Sequence, residues 1–294
     1  MRKLLTIFTP TYNRAYTLQT LYDSLIRQTS HNFIWLVIND GSSDNTDEVI
    51  RNMINENKIQ IKYITQQNSG KHAAHNRAVK ECDTELFFCV DSDDFLTDDA
   101  VSTIEAYWSQ YKNTDLSDIS GFVANKGNIH GHILGSEFPN GTNMAGLSQL
   151  YELGKKGDTA LIFRTKVIAK YPFPVFEGEN FLREHIAYDE IDKSYKLIVI
   201  NKIIYICDYL KDGLSKNATK LELLNPKGAA LARYHDYKKA TTPYNKFRLL
   251  SGYVYFSKRA GNLKEVFDNI GIIRTIIMLF PAFFSGIRYK YRSK

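Results

Sequence analysis

The sequence predicts an α/β protein, a mostly parallel central sheet flanked by helices, followed by a C-terminal helical segment. Three observations lead there. Up to about residue 110, short apolar runs alternate with segments whose apolar residues recur at helical spacing, the pattern of strands joined by crossover helices. The run "FIWLVIN" at 33–39 is almost continuously apolar, as a strand covered on both faces must be. Beyond about residue 216 the pattern turns helical.

Taken in order, residues 4–9 are the first strand, and residues 17–28 carry Leu18, Leu21, Leu25 and Ile26 on one helical face. Residues 33–39 are the second strand. "DGSSDNTDEVI" then supplies turn residues and two N-cap candidates, Ser43 and Asp44, for a helix reaching about residue 57. Residues 59–64 are the third strand, "GKHAAHNRAVKEC" the third helix, and residues 86–90 the fourth strand. Past Tyr111, "DISGFVA" and "TALIFRT" are strand candidates separated by a Gly- and Asn-rich loop, and "KLIVINKIIYICDYL" is the last β stretch. Residues 1–215 are therefore expected to form the main domain, in halves 1–110 and 111–215, with a helical region at 216–294.

A chain of 294 residues with 44% hydrophobic content can bury a sizeable core, which excludes a disordered class. Much of the net charge of +6 comes from the closing "IRYKYRSK", so no basic face points to nucleic acid. Cys82, Cys89 and Cys207 form no CxxC pair and read as reduced thiols of a cytoplasmic protein, without a zinc site. "MRKLLTIFTPTYNR" reads as a first strand rather than a signal peptide or a membrane span.

Chemistry concentrates where strands end. "VDSDDFL" places Asp91, Asp93 and Asp94 at the C-terminal end of the fourth strand, the edge along which open α/β sheets bind ligands. Converging carboxylates repel one another unless a divalent cation neutralises them. Oxygen ligands suit Mg²⁺ or Mn²⁺, ions that commonly also hold substrate phosphates. The alternative is that Asp93 and Asp94 cap the following helix while Asp91 faces water. "VINDGSSD" places Asp40 and Asp44 at the equivalent edge of the second strand, where a carboxylate accepts from a nucleobase N–H or a ribose hydroxyl, or simply makes an Asp-Gly-Ser turn. In "TPTYNR", Thr9 and Thr11 offer hydroxyls, Tyr12 a flat face, and Pro10 a stiff turn. In "QQNSGKHAAHN", Gly70 opens a helix whose N-terminus, with Lys71, faces an anion; His72 and His75 suit packing positions as readily as ligand positions.

In this order and spacing, "TPTYNR", "VINDGSSDNT", "NSGKHAAHN" and "VDSDDFL" resemble the family 2 glycosyltransferases, inverting enzymes of the Rossmann-like GT-A fold that use nucleotide-diphosphate sugars. The resemblance is close over about residues 1–110 and looser over 111–215. It implies that Thr9, Tyr12, Asp40 and Asp44 line the nucleoside pocket and that Asp91 and Asp93 form the DxD-type motif meeting ribose and metal-bound diphosphate, with Mn²⁺ or Mg²⁺ as cofactor. Pro10, Gly70, Lys71, His75 and Ser92 fall on the same donor side. Where many members read Ala-Arg-Asn, this chain has Ala74-His75-Asn76.

An inverting transfer needs a carboxylate to take the acceptor's proton. The family keeps it in a Glu-Asp pair; the matching region here is "FEGENFLREHIAYDE", where His185 follows Glu184. Glu184 is the expected base, with Glu179 and Asp189 as rivals. Downstream, "CDYLKDGLSKN" resembles a family loop that assigns Tyr209, Asp212 and Ser215, together with Asp94, to the acceptor or diphosphate side; a polar turn is the alternative.

The segment "TIIMLFPAFFSGI" is shorter than the roughly 20 residues of a comfortable span, contains Pro281 as an expected break or bend, and is followed by a basic flank. That composition fits a helix lying on an anionic membrane surface, or a core helix. The expectation is a cytoplasmic transferase, peripheral at the inner face of the cell membrane. It would carry a sugar, from UDP-sugar by resemblance, to a glycan or polyprenyl-linked acceptor in capsule, lipopolysaccharide or other surface-polysaccharide assembly. A sugar nucleotidyltransferase would carry a Gly-rich phosphate loop where "TPTYNR" stands; a non-catalytic nucleotide-sugar-binding protein would share the pocket and lack the base.

Overall fold

A computed structural model describes residues 2–207 and 214–292. The chain divides into two compact units, Met1–Phe173 with Ala187–Tyr209, and Pro174–Ile186 with Leu210–Lys294. The helical region expected from residue 216 thus shares a unit with 174–186.

The first unit begins with β1 (Leu5–Thr11), α1 (Ala15–Ile26), β2 (Phe33–Asn39), α2 (Thr46–Glu56), β3 (Ile61–Thr65), α3 (Lys71–Glu81) and β4 (Leu86–Cys89). It continues with β5 (Phe95–Leu96), α4 (Ala100–Tyr111), β6 (Ile119–Gly127), β7 (Met144–Ala145), α5 (Leu147–Glu152), β8 (Thr159–Arg164) and α6 (Thr165–Ile168). After α7 (His185–Asp192), which begins in the other unit, β9 (Lys196–Ile206) completes it.

The strands form one sheet in the order β3-β2-β1-β4-β8-β6-β9-β5, with β7 beside β9. β1 to β4 are mutually parallel, β8 runs against β4 and β6, and β9 lies parallel to β6. Six strands, β1, β2, β3, β4, β6 and β9, therefore direct their C-terminal ends to one edge. Apolar layers cover both faces: Leu5, Ile7, Trp35, Val37 and Phe88 pack with Leu18, Tyr22 and Ile50 on one, and Phe8, Leu36, Ile38 and Phe87 pack with Ala74 and Ala78 on the other. That two-sided cover is why these strands are continuously apolar.

Local chemistry sets the helix ends. Asn57 closes α2 in the left-handed conformation, φ 51°. The N-cap of α2 is Asn45 rather than Ser43 or Asp44, although Asp44 Oδ1 still accepts from the Thr46 amide at 3.1 Å. α4 starts after Asp99, because β5 intervenes between the acidic cluster and the helix.

The second unit contains α8 (Leu214–Leu224), α9 (Pro226–Lys239), α10 (Pro243–Arg259), α11 (Leu263–Ile270) and α12 (Ile272–Arg292). Its core holds Ala229, Tyr253, Val254, Phe256, Val266 and Met278. Glu222 is buried between two guanidinium groups, with Arg183 Nε and Arg233 Nη2 each 2.6 Å from its oxygens. α12 continues through Pro281, so the expected break is absent: a missing amide removes one i→i−4 bond, while Met278 and Ala282 on either side of it pack in the core of the unit.

Candidate functional site

The loops after β1, β2, β3 and β4 meet along the shared edge. Asn13, at φ 52°, joins the first two. Its amide donates to Ser42 Oγ at 2.9 Å, and its Oδ1 accepts from the amides of Ser43 at 2.7 Å and Asp44 at 3.3 Å. Asp44 answers from the other loop, accepting from the Ala15 amide at 3.2 Å. Burial opposes the charge of Asp44, but its bonds from Thr46 and Ala15 outweigh burial and hold the carboxyl below its ordinary range. Gly41, at φ 80°, admits no side chain, since a Cβ there would sit 2.9 Å from the Asn68 backbone nitrogen.

Asp40 is buried, and both its oxygens are engaged. Oδ1 accepts from Gln66 Nε2 at 2.7 Å and from the Ser69 amide at 2.9 Å, while Oδ2 accepts from the Gly70 amide at 2.7 Å. Asp40 thereby holds the turn that begins α3. The next residue, Lys71, places Nζ 2.5 Å from Asp91 Oδ1. Two acids from separate loops are thus connected through consecutive residues.

Around the acidic turn, the Asp91 amide donates to Tyr205 Oη at 3.0 Å, and Tyr205 donates to Asp94 Oδ2 at 2.7 Å. Lys126 Nζ stands 4.0 Å above the Tyr205 ring. Burial disfavours the Asp91 charge, but Lys71 and Lys126 outweigh it and lower its pKa. Asp93 and Asp94 are shifted upward, first by burial and next by the charge of Asp91, with Asp94 pushed up to about 6. Carboxyls crowded in this way offer the oxygen ligands that suit a hard divalent cation. None of these aspartates caps α4, whose N-cap is Asp99.

The sequence-predicted residues separate clearly. Tyr12, in the loop that follows β1, is 49% exposed. Thr9 is fully buried, and its Oγ1 accepts the Trp35 indole N–H at 3.0 Å, so its hydroxyl serves the core. Pro10 lies within β1, paired with Ile38, and Ser92 is buried in the acidic turn. His75 is a core residue rather than a donor-side one: its ring meets Phe8, Phe87 and Phe173 edge-on, and burial, assisted by Lys71, lowers its pKa to about 3. Asn76 beside it clamps the Phe173 backbone with two bonds of 2.8 Å.

Glu179 is a helix cap. Its two oxygens accept from the Lys227 amide at 2.7 Å and the Gly228 amide at 2.8 Å, at the start of α9. That occupation removes it as a rival for the base. Glu184, half-buried, immediately precedes α7, and Asp189 is half-buried within it. Tyr209 and Asp212 lie outside the described residues, as does the side chain of Ser215 at the start of α8.

Sequence reasoning missed Asn13, Lys126 and Tyr205. The latter two interrupt apolar strand runs, and a lysine or tyrosine near the C-terminal end of such a run is the signal they left. Thr11 Oγ1 and His72 Nδ1 are also buried with no hydrogen-bond partner among the described residues.

Residues 6–168 match the family model described as Glycosyl transferase family 2. Glycosyltransferase GlyA of Streptococcus pneumoniae serotype 4 is 28% identical over 223 residues, covering 72% of this chain and 31% of GlyA. This chain therefore spans about a third of that relative's length. The GalNAc(5)-diNAcBac-PP-undecaprenol beta-1,3-glucosyltransferase of Campylobacter jejuni is 24% identical over 283 residues, covering 90% of this chain and 85% of the relative. Among solved structures, Staphylococcus aureus TarS 1–349 in complex with UDP-GlcNAc superposes with a TM-score of 0.57 at 18% identity, covering 86% of this chain and 72% of that one. The mannosyltransferase PcManGT of Pyrobaculum calidifontis, in complex with GDP-Man and Mn²⁺, reaches 0.55 at 13% identity and covers 100% and 84%. The structural likeness is one of fold, a GT-A-like α/β architecture, and the family match spans the strands whose loops build the crevice. With more than half of its residues inside that match, the chain belongs to glycosyl transferase family 2.

Proposed function

We propose that this chain is a metal-dependent inverting glycosyltransferase, moving a sugar from a nucleotide-diphosphate donor, a UDP-sugar, to a glycan or polyprenyl-linked acceptor in cell-surface polysaccharide synthesis. The observation that carries this reading is the link between Asp40 and Asp91 through Gly70 and Lys71, which supports reading the two acids as nucleoside-side and metal-side members of one crevice. Two comparisons support the choice of donor and acceptor: TarS was solved with UDP-GlcNAc, and the Campylobacter relative is named for a PP-undecaprenol-linked glycan.

In this mechanism Tyr12 offers its exposed face to the nucleobase, and Asp40 fixes the turn against which the nucleoside rests. Asp91 and Asp93 would hold the Mn²⁺ or Mg²⁺, which would supply charge stabilisation to the departing nucleoside diphosphate. Lys71, at the N-terminus of α3, adds positive charge at the same point. Glu184 takes the proton of the acceptor hydroxyl as it attacks the anomeric carbon from the face opposite the leaving group. Tyr209, Asp212, Ser215 and Asp94 are assigned to the acceptor or diphosphate side.

The second unit supplies a membrane-facing surface. α12 rests on α10 through the 2.7 Å Ser251–Ser285 contact, and Tyr289 Oη accepts from Arg233 Nε of α9 at 3.0 Å. On the other side Ile273, Ile276, Ile277, Phe280, Phe283 and Phe284 are all exposed, Phe280 by 73%. The stretch Ile272–Tyr289 is long and apolar enough to cross a membrane by length and composition, but one face is committed to the neighbouring helices. A helix held in this way, free of acidic residues and carrying Arg274, Arg288, Lys290 and Arg292, is suited to lie in the plane of an anionic bilayer, peripheral at the cytoplasmic face.

The test is release of nucleoside diphosphate from a panel of nucleotide sugars with Mn²⁺, with and without lipid-linked acceptors. Release from one donor that disappears in Asp93→Ala supports the transferase. Binding without turnover would replace it with a binding protein, and pyrophosphate formed from a nucleoside triphosphate and a sugar phosphate with a nucleotidyltransferase. Flotation with phosphatidylglycerol vesicles tests the surface: Phe280→Glu with Phe284→Glu should stay at the bottom of the gradient, and unchanged flotation would refute the membrane assignment.

A further inference from the structure

Lys126 has no role in the mechanism above, yet the topology brings it to the same place. β6 ends at the edge where β2 and β4 end, and Lys126 is the penultimate residue of β6. Across the β6–β9 pair it stands in register with Tyr205, and its ammonium lies 4.0 Å above that ring. The hydroxyl of the same tyrosine takes the Asp91 amide and gives its proton to Asp94. Lys126 therefore reaches the acidic turn from the sheet while Lys71 reaches it from α3.

Burial works against the charge of Lys126, but the nearby carboxylates of Asp91 and Asp94 favour it and raise its pKa. An ammonium held over the ring whose hydroxyl bonds Asp94 is a preorganised cation in a half-buried site, where a fixed charge acts more strongly than in water. Asp91, Asp93 and Asp94 bring at most three negative charges, whereas Lys71 and Lys126 together with a divalent cation held there would bring four positive ones. The excess calls for an anion at this position.

We propose that Lys126 is a fixed cation of the donor's diphosphate subsite, working beside Lys71 at Asp91. The inference rests on the nucleotide-diphosphate reading of the crevice and adds a residue to it.

Calorimetric titration with UDP and with uridine, both in Mn²⁺, tests it. Lys126→Met should weaken UDP binding about tenfold, the loss of one charged contact, and leave uridine unchanged. Lys126→Arg should recover most of the difference. Equal UDP affinity in wild type and Lys126→Met would overturn the proposal, and so would equal losses for UDP and uridine, which would mark a structural role. If Lys126→Met fails to fold, Lys126→Gln combined with Asp94→Asn removes the cation together with a carboxylate it balances. That double variant should still bind UDP about tenfold more weakly than Asp94→Asn alone, and parity would be fatal. Wild-type protein binding none of UDP, GDP and dTDP would overturn the donor reading and Lys126's role with it, whereas the variant comparison bears on Lys126 alone.

Discussion

Lys71 Nζ lies 2.5 Å from Asp91 Oδ1, so that carboxylate already carries a cation from the first turn of α3. A divalent ion held on the same carboxylate would compete with that ammonium, which carries the charge suited to phosphate oxygens. Lys71→Met is expected to raise the affinity for Mn²⁺ alone several-fold while lowering that for UDP in the presence of Mn²⁺. Titration by electron paramagnetic resonance for the first and calorimetry for the second would check the opposite signs.

Asn13 links the loops after β1 and β2 from a left-handed backbone position. Asn13→Ala loses the side-chain acceptor and strains the backbone, and should cost about 1–3 kcal/mol in urea unfolding. Asn13→Gly relieves the strain but not the lost bonds. It should fall between wild type and Asn13→Ala in stability and still show a raised KM for the donor, because the crevice wall loses the Asn13 Oδ1 bonds to the Ser43 and Asp44 amides.

The buried His75 sets an acid limit on the first unit. Its folded pKa, about 3, lies below the ordinary value of 6.5, so above pH 6.5 it is neutral both folded and unfolded and exacts no penalty. As pH falls from 6.5 toward 3 the unfolded chain takes up a proton that the folded chain refuses, and stability falls by at most about 1.4 kcal/mol per pH unit. His75→Phe, in a pocket of Phe8, Phe87 and Phe173, should flatten that slope, as denaturant midpoints at pH 7, 5.5 and 4.5 would show.

Two glutamates close in sequence should behave oppositely. Glu179→Ala uncaps α9, losing the bonds to the Lys227 and Gly228 amides, and should lower stability by about 1–2 kcal/mol. Glu184→Gln should keep the fold and reduce kcat by at least about a hundredfold, the scale of general-base catalysis. Normal turnover in Glu184→Gln would transfer the base to another residue.

Much of this protein was legible in its sequence. The alternation of apolar runs and helical spacing specified the strands β1 to β4 and their crossover helices, because a sheet covered on both faces leaves no other use for a run such as "FIWLVIN". The clustering of aspartates at strand ends followed from the same pattern, since parallel strands direct all such ends to one edge. Which side chains face the crevice was decided only in three dimensions. Thr9 and His75 share motifs with Tyr12 and Lys71, but the alternation of faces along β1 and the inward side of α3 turn them into the core. Lys126 and Tyr205 lie far along the chain from Asp91 and come to it only because β6 and β9 run parallel to β4 across an antiparallel β8. Local periodicity encodes the burial of a residue's neighbours, whereas the electrostatic partners of a carboxylate depend on strand order, which no short window of sequence contains.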